Sequence, residues 1–329
     1  MNSKRLLSTV TLFAYFCMAM VARAPKYVFY FIGDGMGLNQ VVATQYYLRS
    51  CQGELGVTPL CFTQFPYTGI ATSYSASSDV TDSAAGGTAL ATGHKTYNGA
   101  IGIAADAIPV TSIAEMAHRC GAKVGVATSV TINHATPASF YAHQKSRNDY
   151  YEIGVQLPAS GFEFFAGGDL AENTNPDDPS APHLHDLARE AGYTIVRGYD
   201  EYASLNGEAD KVLLIQKEDM VENTLPYAID AREGDLTLTQ ITTAAIDHLY
   251  DKRHREGFFL MVEGGKIEID FPADASKKLK VLKVQALKDG SDLPYQFKKG
   301  HLSISLPSCT ECEDCAAAEI DYVVKVVVK

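Results

Sequence analysis

The chain is predicted to be an α/β protein with a largely parallel sheet covered on both faces, followed by a small all-β tail. From Tyr27 to about Val262 short apolar runs alternate with amphipathic stretches, the pattern of βα units. Two of those runs end in a carboxylate beside glycine, at Gly33-Asp34-Gly35 and Glu263-Gly264-Gly265. After Ile267 the helical period disappears. With 329 residues, 46% hydrophobic and 20% charged, the composition suits a globular chain with a sizeable core.

Buried strands are expected at Tyr27 to Ile32, Thr68 to Thr72, Lys123 to Ala127, Val212 to Ile215 and Phe258 to Val262, where β-branched and aromatic residues cluster. Helices are expected between them, at Leu38 to Leu48, Ala84 to Ala91, Ser112 to His118, Pro137 to His143, His183 to Ala191 and Leu238 to Tyr250. The Pro- and Asp-rich stretch Glu172 to Pro182 reads as a surface loop. In the tail, Leu279 to Val284, Leu302 to Leu306 and Tyr322 to Val328 read as strands separated by turns. The boundary is placed so that residues 25–267 form the α/β domain and residues 268–329 the β-rich tail.

Residues 1–24 read as a signal peptide: Lys4 and Arg5 precede an apolar run from Leu6 to Val21, closed by Ala22-Arg23-Ala24. The run is shorter than a spanning helix and is diluted by Ser8, Thr9 and Thr11, so no stable membrane anchor is expected after its removal. The expected location is secreted or periplasmic. A net charge of −11 gives no field to attract a polyanion, and nucleic acid is not an expected partner. Export permits disulfides, and Cys51 with Cys61 is a candidate pair, although a scattered cysteine is ordinarily a small buried hydrophobe. Cys309, Cys312 and Cys315 sit among Glu311, Glu313 and Asp314 and fit a solvated loop better than a metal site.

Four segments carry chemistry. Asp34 stands at the carboxyl end of the first strand, where open α/β sheets bind ligands, though Asp between glycines is also ordinary turn chemistry. Ser83 enters a helix of small residues in Thr81-Asp82-Ser83-Ala84-Ala85-Gly86-Gly87; it is either a helix cap or a hydroxyl facing an anion at a helix N-terminus. In Asn133-His134-Ala135-Thr136-Pro137 the two-residue spacing of His134 and Thr136 points both the same way if they lie on an extended strand end, where they could reach one metal. Arg147, beyond a helix started by Pro137, could supply forked donors to phosphate. Glu263 ends another buried strand, and a second carboxylate at the same sheet edge as Asp34 suggests a divalent cation.

This ordered set, G-D-G-M-G, T-D-S-A-A-G-G-T-A, H-A-T-P with a downstream Arg, and F-F-L-M-V-E-G-G, resembles the alkaline phosphatase family from Tyr27 to about Ile267. The resemblance implies a three-layer αβα sandwich, with hydrolysis of phosphate monoesters through a phosphoserine and two Zn2+ and one Mg2+ as cofactors. It implies Ser83 as nucleophile, Arg147 as phosphate clamp and Asp82 as the neighbour that orients the site. Asp34 resembles the carboxylate bridging a zinc and the magnesium, and Thr136 and Glu263 resemble magnesium-shell ligands. His134 stands where bacterial members often have Asp. A homodimer is also implied.

The pattern fails after Glu263, where the family continues with Asp and His ligands of zinc. Here Glu268 stands in the place of the Asp and Pro272 in that of the His, and the only later histidine is His301. The C-terminal part of the fold is therefore expected to be missing and the zinc sites impaired, with Asp34 and Ser83 left as ligands of one zinc and Glu268 as a ligand of the other. The tail resembles the β-module of α-L-fucosidase-type glycoside hydrolases, which implies a junction between Glu263 and Lys280 joining two unrelated pieces. The alternatives to an active phosphatase are a secreted, non-catalytic binder of phosphate or glycan and a chimeric chain without activity.

Overall fold

The structure is a computed structural model that describes residues 25–217, 224–227 and 231–264, with strand backbone at 281–286, 295–298, 301–304 and 324–328. The expected signal peptide, Glu268 and the three clustered cysteines lie outside the described residues. Contacts divide the chain into two units, Met1–Lys266 and Ile267–Lys329.

The first unit is built on a six-stranded, wholly parallel sheet in the order β1-β6-β2-β3-β5-β4. The strands are β1 (Tyr27–Gly33), β2 (Lys123–Thr128), β3 (Phe164–Gly167), β4 (Tyr193–Arg197), β5 (Lys211–Ile215) and β6 (Phe258–Gly264). The connecting helices are α1 (Leu38–Cys51), α2 (Ser83–Thr92), α3 (Ile113–Arg119), α4 (Ala135–Ala138), α5 (Tyr150–Ser160), α6 (Leu184–Glu190), α7 (Gly198–Ser204) and α8 (Leu238–Leu249).

Strand periodicity divides the core in two. Val124, Val126, Phe165, Leu213, Phe259 and Met261 point to one face and pack with Ala84, Ala114, Ile153, Leu157 and Leu184 from the helices on that side. The alternate residues Ala127, Phe164, Ala166, Val212, Leu214, Leu260 and Val262 pack on the other face with Ile241, Ala244, Ala245 and Leu249 of α8. Near-continuous apolar strands buried on both faces are what a parallel sheet requires, and the result is an αβα sandwich. Capping fixes helix starts: Ser112 with Glu115 and Thr237 with Gln240 form capping boxes before α3 and α8.

Several expectations are corrected. Thr68 to Thr72 is not a strand: no neighbour among the described residues takes its backbone hydrogen bonds, and Ile70 is 100% exposed. The helix expected from Pro137 to His143 begins earlier, at Ala135, with His134 at its N-cap, and ends at Ala138. The chain then leaves the helix so that Gln144 can exchange two backbone hydrogen bonds with Ile101, at 2.8 and 2.9 Å. His134 and Thr136 thus sit on a helix start, not on an extended strand end. The short strands β3 and β4 and helices α5 and α7 were not expected. Cys51 and Cys61 are free thiols, and with Cys120 they are exposed, not buried; Cys51 ends α1, which buries none of its residues.

The second unit contains β7 (Val281–Ala286) paired antiparallel with β10 (Val324–Val328), and β8 (Tyr295–Lys298) paired antiparallel with β9 (His301–Ile304). No helix among the described residues is long and apolar enough to cross a membrane.

At one side of the sheet β1 pairs, among the described residues, with β6 alone. Phe29 and Phe31 stack on one face of this edge at 44% and 66% exposure, and no residue of α1 is buried. The edge carries no charge, proline or bulge that would discourage another chain. Phe31→Lys is therefore expected to reduce concentration-dependent association of the full chain, measured by light scattering. Equal association of the variant and the parent would contradict this role for the edge.

Candidate active site

The site forms where β1, β6 and β2 end together. Their parallel register pairs Gly33 with Gly264 and Thr128 with Glu263, and the Asp34 amide donates to the Gly264 carbonyl at 3.1 Å. Asp34 and Glu263 are therefore delivered to the same carboxyl edge of the sheet.

Helix α2 brings Ser83 to that edge. The cap is Asp82, not Ser83: the Asp82 carboxylate accepts from the Ala85 amide at 2.9 Å. This leaves the Ser83 hydroxyl to donate to Asp34 Oδ2 at 2.7 Å. Gly87 lets α2 lie against α4, since a Cβ there would stand 3.2 Å from Thr136 Cα and 3.0 Å from Ser139 Oγ. The second Asp82 oxygen accepts from the Gly99 amide at 3.0 Å and from Arg147 Nη1 at 3.3 Å. Arg147 Nη2 lies 3.1 Å from His134 Nε2, where the guanidinium donates and the imidazole lone pair accepts.

Glu263 is wholly buried. Its Oε2 accepts from the Thr128 hydroxyl at 2.5 Å, while Oε1 has no hydrogen-bond partner among the described residues. Burial pushes its carboxyl up to about 7, helped by the charge of Asp34 and opposed by the hydroxyls of Thr128 and Thr136 and by the charge of Arg147. A buried carboxylate oxygen without a donor is costly unless a cation or proton meets it. Asp34, Glu263 and the Thr136 hydroxyl form a hard oxygen set, which fits Mg2+; that ion commonly takes one or two carboxylates and keeps several waters. Zinc does not fit in the same way. Among the described residues no group of three His, Cys, Asp or Glu is placed to hold a metal.

The structure thus brings together Asp34, Asp82, Ser83, His134, Thr136, Arg147 and Glu263. Glu268 lies outside the described residues. Sequence reasoning missed Thr128 and the Gly99 amide. Thr128 could have been found as a hydroxyl at the end of a predicted strand, whereas nothing in the Tyr97-Asn98-Gly99 turn signals its reach to Asp82.

A parallel αβα sandwich with a serine at a helix start, its hydroxyl donating to one of two strand-end carboxylates, defines an open-sheet α/β protein whose ligand site lies at the carboxyl edge of the strands. A profile of the alkaline phosphatase family matches residues 25–175 and 180–289, beyond the boundary expected at Ile267. The chain belongs to the alkaline phosphatase family. It is 32% identical over 252 residues to alkaline phosphatase 3 of Bacillus subtilis, covering 74% of this chain and 51% of that protein. Among solved structures it resembles the alkaline phosphatase of the Antarctic bacterium TAB5, with 32% identity, a TM-score of 0.61, and coverage of 74% of this chain and 65% of the other. A variant of the TAB5 protein with Mg bound in its M3 site matches at 26% identity and a TM-score of 0.62, over 86% of this chain and 87% of that one. The chain spans about half the length of the curated relatives it matches.

Two outcomes follow from this geometry. Asp82→Ala removes a helix cap and the acceptor of Arg147, and is expected to cost about 1 kcal/mol or more in urea unfolding, with Asp82→Asn closer to the parent. Unchanged stability in Asp82→Ala would contradict the capping role. For Glu263 the folded-state value lies above the ordinary carboxylate value of 4.5. Its contribution is therefore present below 4.5 and lost as pH rises through about 7, by no more than about 1.4 kcal/mol per pH unit in chelator. Thermal unfolding of Glu263→Gln should lack that slope, and added Mg2+ should stabilise the parent above pH 7 but not the variant.

Proposed function

We propose that the chain hydrolyses phosphate monoesters with Ser83 as the nucleophile. The observation that carries the reading is the 2.7 Å hydrogen bond from Ser83 Oγ to Asp34 at the start of α2, with the Arg147 guanidinium beside it through Asp82. Arg147 and the N-terminus of α2 hold two faces of the phosphate. The Ser83 Oγ–phosphorus bond forms as the ester P–O bond breaks; the hydroxyl proton passes to Asp34, and the leaving alkoxide takes a proton from water. Water then attacks phosphorus as the Ser83 Oγ–phosphorus bond breaks, Asp34 returns its proton to Oγ, and orthophosphate leaves. Mg2+ held by Asp34, Thr136 and Glu263 would offset the charge that these carboxylates and the phosphate place at one sheet edge. No step is assigned to zinc, because the described donors do not make its site.

The same donor set favours a second reading, a non-catalytic phosphate binder, in which Arg147 and α2 hold an anion without turnover. We further propose that residues 1–24 direct export and that a β-rich unit begins near Glu268, in keeping with the change in sequence texture.

The discriminating experiment is hydrolysis of a chromogenic phosphate monoester by the full chain at alkaline pH with Mg2+ and Zn2+. Turnover is expected to fall by at least about a thousandfold in Ser83→Ala. Turnover unchanged in that variant would overturn the assignment. Orthophosphate binding without turnover, retained in Ser83→Ala, would support the binder instead.

A further inference from the structure

Asp82 is held in place by two groups that come from different segments, the Gly99 amide and the Arg147 guanidinium. The 97–102 and 143–147 segments are laced together by the paired Ile101 and Gln144 amides and by the Tyr97 hydroxyl, which donates to the Lys145 carbonyl at 3.4 Å. The His143 ring spans both segments and a third element. Its Nδ1 lies 2.6 Å from the Gly102 carbonyl, and its Nε2 lies 3.4 Å from Glu115 Oε1 on α3.

The approach at Gly102 is too close for any other residue. Gly102 has φ +59°, and a Cβ there would stand 2.0 Å from the Ala142 carbonyl oxygen and 2.8 Å from His143 Nδ1. The Gly102 amide donates to Thr88 Oγ1 of α2 at 2.9 Å. A closed circuit results: α2 through Thr88 to Gly102, across the His143 ring, along the chain to Arg147, and back to Asp82 at the start of α2. The far side of the ring is anchored as firmly. Glu115 Oε2 accepts from the Ser112 amide at 2.7 Å, the Ser112 hydroxyl donates to the Phe140 carbonyl at 2.7 Å, and the His143 amide donates to Gln156 Oε1 at 2.8 Å.

We propose that His143 is a positioning residue, whose ring fixes the 143–147 segment against Gly102 so that Arg147 meets Asp82 and an anion at the Ser83 helix. The inference rests on the reading of Arg147 as a phosphate clamp and extends it to a residue remote from the anion. Because a carbonyl only accepts, Nδ1 carries a proton in this arrangement at any pH. Nε2 donates to Glu115 only when the ring is charged. The charged groups that face the ring are Glu115 and Arg119 of α3. Glu115 holds the imidazole above the ordinary histidine value of 6.5, against burial and the charge of Arg119. As pH rises through that raised value the Glu115 contact weakens, while the bond to Gly102 persists.

The test uses the full chain with orthophosphate as the probe, together with the Arg147 Nε–Hε resonance and the exchange rate of the Gly99 amide, at about pH 6 and about pH 9. His143→Ala is expected to weaken orthophosphate binding about tenfold, to shift the Arg147 resonance and to speed Gly99 exchange. His143→Asn places a donor near the position of Nδ1 and is expected to restore all three at both pH values. In Glu115→Gln the Arg147 resonance should lose its change between the two pH values. Orthophosphate affinity, Arg147 resonance and Gly99 exchange all at parent values in His143→Ala would overturn the proposal. Should His143→Ala not fold, a shifted Arg147 resonance in a folded His143→Asn would overturn it equally. A parent chain that binds no orthophosphate removes the clamp reading of Arg147, while the resonance and exchange measurements still decide whether His143 positions it.

Discussion

Everything at the site depends on the register of β6 between β1 and β2. Parallel pairing of Gly33 with Gly264 and of Thr128 with Glu263 ends three strands on one line. A shift of one residue would turn Glu263 to the opposite face and put an apolar neighbour beside Asp34. The same alternation buries Phe259 and Met261 on one side and Leu260 and Val262 on the other, so the register is enforced by both halves of the core. The core that stabilises the fold is thus also the device that brings two carboxylates together against their mutual repulsion.

Around those carboxylates the chain spends its polar groups on position. Asp82 caps α2 and also collects Gly99 and Arg147, so one side chain sets the helix start and the position of the Arg147 guanidinium at once. Ser83, relieved of capping, turns its hydroxyl to Asp34. Glu263 accepts from Thr128 but retains an oxygen without a donor among the described residues, and burial raises its carboxyl to about 7. That unmet oxygen is the strongest indication in the chain that a cation belongs beside Asp34 and Thr136.

Much of this was legible in the sequence, for identifiable reasons. The strands Tyr27–Gly33, Lys123–Thr128, Lys211–Ile215 and Phe258–Gly264 are runs dominated by apolar residues, and each lies where it was expected. Phe164–Gly167 has only four residues and ends in Ala and Gly, and Tyr193–Arg197 is broken by Thr194 and closed by Arg197, so no apolar run marks them. Thr68 to Thr72 has the composition of a strand but depends on a neighbour that the described residues do not supply. Motif spacing located Asp34, Ser83, Arg147 and Glu263, because chain order survives whatever the local geometry. The identity of the cap, the helix start at Ala135 and the bridging His143 ring depend on contacts between segments far apart in sequence, and no local pattern encodes them.

If the strand ends and α2 make Ser83 the nucleophile proposed above, Ser83 is the residue that receives a phosphoryl group. The most direct test is rapid acid quenching of the full chain mixed with a phosphate monoester and Mg2+ and Zn2+, followed by peptide mass spectrometry. A phosphoryl group is expected on the peptide containing Ser83 and on no other. A phosphoryl group on a different residue, or none on a protein that turns the ester over, would contradict that role.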